Sequence, residues 1–250
     1  MNVSAWALAW MRCAGLLAAF PQALGMSVPA PIRGLAAAAL ALVLAPLAPH
    51  PHALTLGGAL GEMLLGAALG FCLRLPIFAA QAAGEAVGFT TYASSFMMQG
   101  LPEDAGGGGN IWSSAYTQVG LLAYFGVGGP QSLVEAMAGS MRLAHLGGAG
   151  FPASPAVGDL VGVFARMAFL ALVLCAPPLL ASLGAQWALG LVFRASARLQ
   201  LYSFALPLAS LAAAGVLALS LPSWPGLIQK SLGWSLESAA GLAAAAGGRP

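Results

Sequence analysis

The residues that could carry out chemistry stand far apart in this sequence. Glu62, Glu85, Glu135 and Asp159 are single carboxylates, each distant from the next. Carboxylates inside apolar helices can relay protons or couple ions. Nothing in the spacing pairs these acids, so a proton path is allowed but not indicated.

Two further polar sets lie between apolar runs. Glu103 and Asp104 form an acidic pair followed by Gly106–Gly109, and His50 and His52 flank a proline. A tetrahedral metal site takes three or four protein ligands, and neither set brings a third. We interpret both as loops; the freedom of glycine in φ lets the first fit a cramped space.

Enzyme signatures are missing from the sequence, which has no His-Glu-x-x-His motif and no Gly-x-Ser-x-Gly elbow. Cys13, Cys72 and Cys175 lie far apart in apolar stretches, as small hydrophobic residues of packed helices do. The sequence therefore predicts a protein that is not an enzyme and has no cofactor and no metal.

The composition restricts the environment in which these residues can lie. Charged residues make up 6% of the 250 residues and hydrophobic ones 60%, whereas soluble domains carry about 25% charged residues. A soluble monomer and a disordered chain are both excluded. The net charge of +2 does not favour nucleic acid as a partner. The chain must be solvated by lipid, by partner subunits or by both.

Apolar runs long enough to cross a membrane predict an all-α, multi-pass integral membrane protein. We expect about five to seven hydrophobic helices, partly kinked by Pro46, Pro177, Pro178 and Pro207. The clearest runs are Met167–Phe193 and Leu199–Gln229; the others are the first thirty residues, Gly34–Gly61, Leu54–Leu73 and Ala105–Val134, with its apolar centre at Ile111–Gly129.

Polar and small residues recur on single helix faces within these runs. Gly58, Glu62, Gly66 and Gly70 follow one another every four residues, a spacing that allows two helix backbones to approach closely. Because it shares this face, Glu62 should point at protein. The abundance of glycine, 33 residues in all, is the alternative explanation of the pattern.

Two further stripes share this character. One comprises Gln81, Glu85, Gly88, Tyr92, Ser95 and Gln99, and the other Ser182, Gln186, Gly190, Arg194 and Arg198. Such faces suit a water-filled path or a tightly packed multi-subunit assembly.

Four segments in order resemble the FliR/SctT family of type III secretion export-gate subunits. They are Met11–Pro46, with an early arginine and a Val-Pro turn; Leu60–Phe89, with Ala-Gly-Glu at residues 83–85; Leu121–Gly129, ending in Gly-Gly; and Leu170–Leu208. In the last segment Gly190, Arg194 and Phe204 match the family pattern, while Ala197, Arg198 and Gln200 depart from its Pro-Gln-x-Asn stretch.

The resemblance implies a subunit of a hetero-oligomeric helical assembly in the bacterial inner membrane, at a flagellar basal body or an injectisome base. Its partners would be FliP/SctR-like and FliQ/SctS-like subunits, an FlhB/SctU-like switch protein, membrane lipid and unfolded exported proteins. The resemblance implies one export-gate domain over residues 1–250, with N-terminal helices in 1–100, a plug-like loop at 94–110 and a helical hairpin at 160–229.

The resemblance also assigns residues. The plug or gating candidates are Phe96, Met97, Met98, Gly106, Gly107, Gly108 and Gly109. The candidates for helix packing and assembly are Gly58, Glu62, Gly66, Gly70, Gly84, Glu85, Gly88, Gly190, Arg194 and Phe204.

Three alternatives stay open at this point. The chain could be a small-solute transporter that uses Glu62 and Glu85 as coupling sites, although inverted repeats are not visible. It could be a purely structural subunit without a pore-lining part. Within the family, Gly-Glu-Ala-Val-Gly favours the flagellar branch, whereas Gly128-Gly129 and Leu75-Pro76 favour injectisomes.

Overall fold

The computed structural model describes residues 3–19, 29–48, 55–91, 110–148, 154–195 and 202–247. Within these ranges every regular element is a helix. The α-helices are α1 Val3–Ala19, α2 Ala30–Leu44, α3 Leu56–Thr90, α4 Ile111–Gly126, α5 Gly129–Leu143, α6 Ser154–Ala195, α7 Tyr202–Ser220 and α8 Trp224–Ala246. Short 3₁₀ turns at Ala45–Leu47 and Leu221–Ser223 follow α2 and α7.

Four segments of the described residues are long and apolar enough to cross a membrane: Ala30–Leu47, Leu56–Thr90, Val161–Val192 and Pro207–Ala246. Burial distinguishes α3, which is 61% buried in its most apolar window, from the other three at 22%, 28% and 17%. The expected all-α, multi-pass membrane architecture is confirmed, and α3 is the most buried of these four segments.

Glycine and proline set several helix boundaries. Gly128 adopts a φ of 86° and Pro130 occupies the first turn of α5, so the Gly-Gly turn separates α4 from α5 at a backbone conformation that side chains disfavour. Pro46 lies in the 3₁₀ turn that ends α2. Pro177, Pro178 and Pro207 lie inside α6 and α7.

In the described part, the apolar run Leu199–Gln229 is divided between two helices. The helix stops at Ser220, and a new helix begins at Trp224. Pro222 and Pro225 explain the break, because each lacks the amide proton that would continue the ladder of hydrogen bonds. The second helix continues past the charged residues Lys230 and Glu237 to Ala246.

The chain divides into two compact units. Unit 1 comprises Met1–Leu75, Val127–Arg166 and Gln229–Pro250, and unit 2 comprises Pro76–Gly126 and Met167–Ile228. In unit 1, small and aliphatic side chains of α1, α2 and α5 form the core, among them Leu8, Ala41 and Met141. In unit 2, Tyr116 and Trp224 pack with ring centroids 5.2 Å apart.

Candidate functional site

In unit 1, α1 crosses the first half of α3 with almost no side chains between the backbones. A Cβ atom at Gly66 would overlap the carbonyl oxygen of Arg12, and one at Gly15 would overlap that of Met63. A Cβ atom at Gly70 would lie 2.5 Å from the carbonyl oxygen of Leu16. The small-residue face of α3 is therefore occupied by α1 of the same chain, the close packing that glycine allows.

This close crossing brings Arg12 of α1 to Glu62 of α3. The Arg12 Nε donates to Glu62 Oε2 over 2.5 Å, and both side chains are 0% exposed. Fifty residues separate the two in sequence. The structure thus places Glu62 within protein, opposite a charge that compensates its own.

The remaining polar atoms of the pair bind backbone groups at the end of α5. Arg12 Nη1 donates to the Ser140 carbonyl at 2.8 Å and Nη2 to the Ala144 carbonyl at 3.4 Å. The Gly147 amide donates to Glu62 Oε1 at 2.8 Å. The last carbonyls of a helix carry partial negative charge, so the guanidinium also acts as a cap for α5.

We call these residues the arginine centre: Arg12, Glu62, Ser140, Ala144 and Gly147. Among the described residues, each nitrogen of the guanidinium and each oxygen of the carboxylate has at least one hydrogen-bond partner. Gly58 closes its edge, because a Cβ atom there would lie 2.9 Å from the Gly147 carbonyl oxygen. The arrangement joins α1, α3 and the end of α5.

In unit 2, the second half of α3 packs against the start of α4. A Cβ atom at Gly84 would lie 2.6 Å from the Trp112 carbonyl oxygen, and one at Gly88 would overlap the Asn110 side chain. Glu85, which is exposed, accepts hydrogen bonds from Gln81 Nε2 at 3.3 Å and Ser113 Oγ at 3.4 Å. Glu85 therefore belongs to a separate polar set with its own partners.

The end of α3 is also bound by α6. Gln186 Nε2 donates to the Thr90 carbonyl at 2.6 Å, and the hydroxyls of Thr90 and Ser182 lie 3.2 Å apart. Further along the same stripe, Gly190 has nothing within 4 Å of its Cβ position, and Arg194 is exposed. The stripe is thus packed against α3 at Ser182 and Gln186 and open at Gly190 and Arg194.

The other predicted residues are placed only in part. Phe204 lies in α7. Tyr92, Ser95, Gln99 and Arg198, together with the plug candidates Phe96, Met97, Met98 and Gly106–Gly109, lie outside the described residues.

The arginine centre contains residues that the sequence did not assign. Arg12 is the early arginine of the segment Met11–Pro46, and a lone arginine in an apolar run does predict a buried partner. The sequence offers no signal for which acid it binds, and none for the backbone groups of Ser140, Ala144 and Gly147.

Among the described residues of unit 2, one buried side-chain polar atom lacks a hydrogen-bond partner. The Tyr116 hydroxyl makes no hydrogen bond within the described residues, although the side chain is fully buried. Burial, and then the neighbouring Cys175, raise the pKa of this phenol above its ordinary value. Within the described residues no group of three or more His, Cys, Asp or Glu side chains could hold a metal ion.

Comparison with known proteins assigns the chain to a family. A search of curated proteins finds no match. The sequence profile described as "Bacterial export proteins, family 1" matches residues 3–233. That match covers most of the 250 residues, and four apolar segments accompany it. The chain therefore belongs to family 1 of the bacterial export proteins, the FliR/SctT family, and is an inner-membrane component of a type III export apparatus.

Proposed function

We propose that this chain is a structural and pore-forming subunit of the export gate through which unfolded proteins pass. In this proposal it assembles with FliP/SctR-like and FliQ/SctS-like subunits and adjoins an FlhB/SctU-like switch protein. The family match over residues 3–233 is the observation that carries the proposal. The whole chain acts as one export-gate domain.

The exposed surface of α6 supports the proposal that this chain binds a partner subunit. Trp187 and Leu191 are 79% and 70% exposed, and they flank Gly190, which has open space beside it. A glycine with free space between large apolar side chains offers a groove to an incoming helix. Arg194 lies one turn further along the same open face, where it could bind a carboxylate of the partner.

We further propose that the segment after α3 forms the plug of the pore, with Phe96, Met97, Met98 and Gly106–Gly109 as its sealing residues. Flexible methionine side chains suit a seal that must deform around a passing chain. The segment starts where Thr90 is held by α6 and ends where Asn110 contacts Gly88. The residues that flank the segment on both sides are therefore held by contacts with α6 and α3.

Between the two branches we propose the flagellar one, with the chain located at the basal body. The sequence Gly84-Glu85-Ala86-Val87-Gly88 supports this choice. An injectisome base is the alternative, supported by the Gly128–Gly129 turn.

The transporter alternative finds no support in the geometry. Glu62 is enclosed with Arg12, and Glu85 is bound to Gln81 and Ser113 in the other unit. A coupling site needs a carboxylate that can exchange its ion or proton with a path, and Glu62 has no free oxygen for one.

The experiment is co-expression of the chain with the FliP-like and FliQ-like subunits from the same genome, followed by detergent extraction and native mass spectrometry. We expect a single complex that contains all three chains and gives their copy numbers. As a matched pair, Gly190→Trp should reduce assembly while Gly162→Trp should not; Gly162 also has open space beside it. A chain that stays monomeric, folded and alone would overturn the proposal, and transport by that chain alone in vesicles would establish the transporter instead.

A further inference from the structure

In unit 1, the last turns of α8 pack against the helices that build the arginine centre. Leu242 is buried and packs with Cys72 and Ala68 of α3. Ala239 and Ala246 lie in the core to which α1, α2 and α5 also contribute. These turns therefore belong to the interior of unit 1, although they lie beyond the part of the chain that the family profile matches.

The residue after α8 contacts the end of α5, which supplies acceptors to Arg12. A Cβ atom at Gly247 would lie 2.5 Å from the Leu143 carbonyl oxygen and 3.3 Å from the Ala144 Cα. The Ala144 carbonyl accepts a hydrogen bond from Arg12 Nη2 at 3.4 Å. Gly247 therefore packs against a residue that binds the buried guanidinium.

The turn after α5 is held from two sides. On one side Arg12 binds the Ala144 carbonyl and Glu62 binds the Gly147 amide. On the other side lies the backbone of Gly247. A buried ion pair needs further hydrogen bonds of good geometry to offset its lost hydration. An element that fixes this turn therefore also supports the two charges.

The attachment of these turns depends on small side chains. Ala239, Ala243 and Ala246 are buried, and Leu242 is the larger side chain among them. Hydrophobic stabilisation scales with the apolar area removed from water, so each alanine contributes little. Segments at the ends of a fold with few large buried side chains open at a lower free energy than the core does.

We propose that Ala239–Gly247 is a strap that closes over the turn after α5 and fixes the arginine centre, and that it opens while the other helices of unit 1 stay packed. In the closed state, Gly247 holds Ala144 within reach of Arg12, and Leu242 covers Cys72. In the open state, the Cys72 thiol is accessible and the turn after α5 is supported from one side alone. The strap thus determines how firmly α1 is held.

The test is the rate at which N-ethylmaleimide labels Cys72 in the purified chain in detergent, followed by peptide mass spectrometry. Gly247→Leu places a side chain against the α5 backbone and favours the open state. We expect Cys72 to react about tenfold faster than in the parent, because forcing extra atoms into a packed contact costs about as much as a tenfold change in an equilibrium constant.

The chain offers two controls for this measurement. Gly233→Leu alters the same helix at a glycine with nothing within 4 Å of its Cβ position, so Cys72 should react no faster than in the parent. Cys175 of unit 2 is buried, and its labelling rate should stay the same in both variants.

A double-mutant cycle tests the link between the strap and the arginine centre. Glu62→Gln and Gly247→Leu are made singly and together, and the melting temperatures are compared. If the strap supports the ion pair, the substitution of Glu62 costs less once the strap is open. The melting temperature of the double variant should then fall by less than the sum of the two single changes.

Three results would overturn the proposal. Unchanged labelling of Cys72 in Gly247→Leu would mean that this contact does not hold the strap. An equal acceleration at Cys175 would mean that the whole chain unfolds. Additive changes in melting temperature would mean that the strap and the arginine centre are independent. Should Gly247→Leu fail to fold, Gly247→Ala makes a smaller change at the same contact and decides by the same measurements.

Discussion

At the residue scale, the arginine centre shows how one chain can enclose two opposite charges. Removing an ion pair from water costs several kcal/mol per ion, and only good geometry with further hydrogen bonds offsets that cost. Here the Ser140 and Ala144 carbonyls and the Gly147 amide supply those bonds. The pair therefore depends on the turn after α5 as much as on itself.

We expect Glu62→Gln to lower the free energy of unfolding by about 3–5 kcal/mol, because the Arg12 guanidinium then remains buried without a counter-charge. The measurement is thermal unfolding of the purified chain in detergent. Glu237→Gln is the control, since Glu237 is exposed and surface substitutions change stability by about 0.5 kcal/mol or less.

The double variant Arg12→Met/Glu62→Leu isolates the charge effect. Replacing both partners by apolar groups of similar size is often close to neutral, so we expect the double variant to be more stable than either single variant. Equal or additive losses would mean that packing at this position, and not charge, determines stability.

Tyr116→Phe should leave stability unchanged or raise it by about 1 kcal/mol, because the substitution removes a buried hydroxyl without a partner and keeps the ring that packs on Trp224. Tyr116→Leu is the comparison, and it should be less stable because it loses the aromatic contact. A clear loss of stability in the phenylalanine variant would reveal a hydrogen bond made by this hydroxyl, and the prediction would be wrong.

Part of the arginine centre could be predicted from the sequence. The four-residue spacing around Glu62 indicated a face that packs on protein, and the structure buries that carboxylate. Its partner is fifty residues away, and no local pattern encodes a contact of that kind. The backbone partners are invisible in principle, because every residue carries the same carbonyl and amide groups.

At the scale of elements, the crossing of α1 and α3 depends on glycine. We expect Gly66→Ala to cost about 1–3 kcal/mol, since the new methyl group meets the Arg12 backbone and must push the helices apart. Thermal unfolding in detergent measures the change, and disulfide trapping between cysteines introduced in α1 and α3 reports whether the helices separate.

Gly139→Ala in α5 is the matched control for this glycine. Nothing lies within 4 Å of its Cβ position, so alanine should be neutral or stabilise the helix by about 0.5–1 kcal/mol. If both variants behaved alike, helix propensity and not backbone contact would explain the effect at Gly66.

Most helices could be predicted from the apolar runs, whereas their ends depend on local residues such as proline. The apolar run that contains Pro222 is divided by the 3₁₀ turn at Leu221–Ser223, so two prolines close together outweigh the apolar pattern there. By contrast, α3 continues through Pro76 as one helix. A proline alone therefore did not predict where a helix ends; that depends on packing around it.

At the scale of the whole molecule, the sparse burial of three of the four apolar segments is what a subunit surrounded by lipid and by other subunits would have. The composition predicted this state directly, because the chain has too few charges to cover itself. Which faces meet lipid and which meet protein could not be predicted, since both environments select the same apolar side chains.

Deleting Gly106–Gly109 should raise ion leakage through assembled complexes if the loop forms the plug. The deletion shortens a segment held at Thr90 and at Asn110, so its sealing residues could no longer reach across the pore. Conductance of complexes reconstituted in planar bilayers measures this. A matched replacement of the four glycines by serines keeps the length and should leak less than the deletion; unchanged conductance in the deletion would contradict the plug assignment.

The burial of Arg12 has a consequence for the order of events during synthesis. The side chain lies in the middle of α1, yet its acceptor at Ser140 lies 128 residues downstream. At about 5–20 residues per second, that stretch takes on the order of ten seconds to translate. An arginine at the centre of an inserted helix costs about 2.5–3.5 kcal/mol until it is compensated. We therefore expect α1 to gain its counter-charge when Glu62 has been made, 50 residues downstream, and to be held firmly only after the turn beyond α5 has followed.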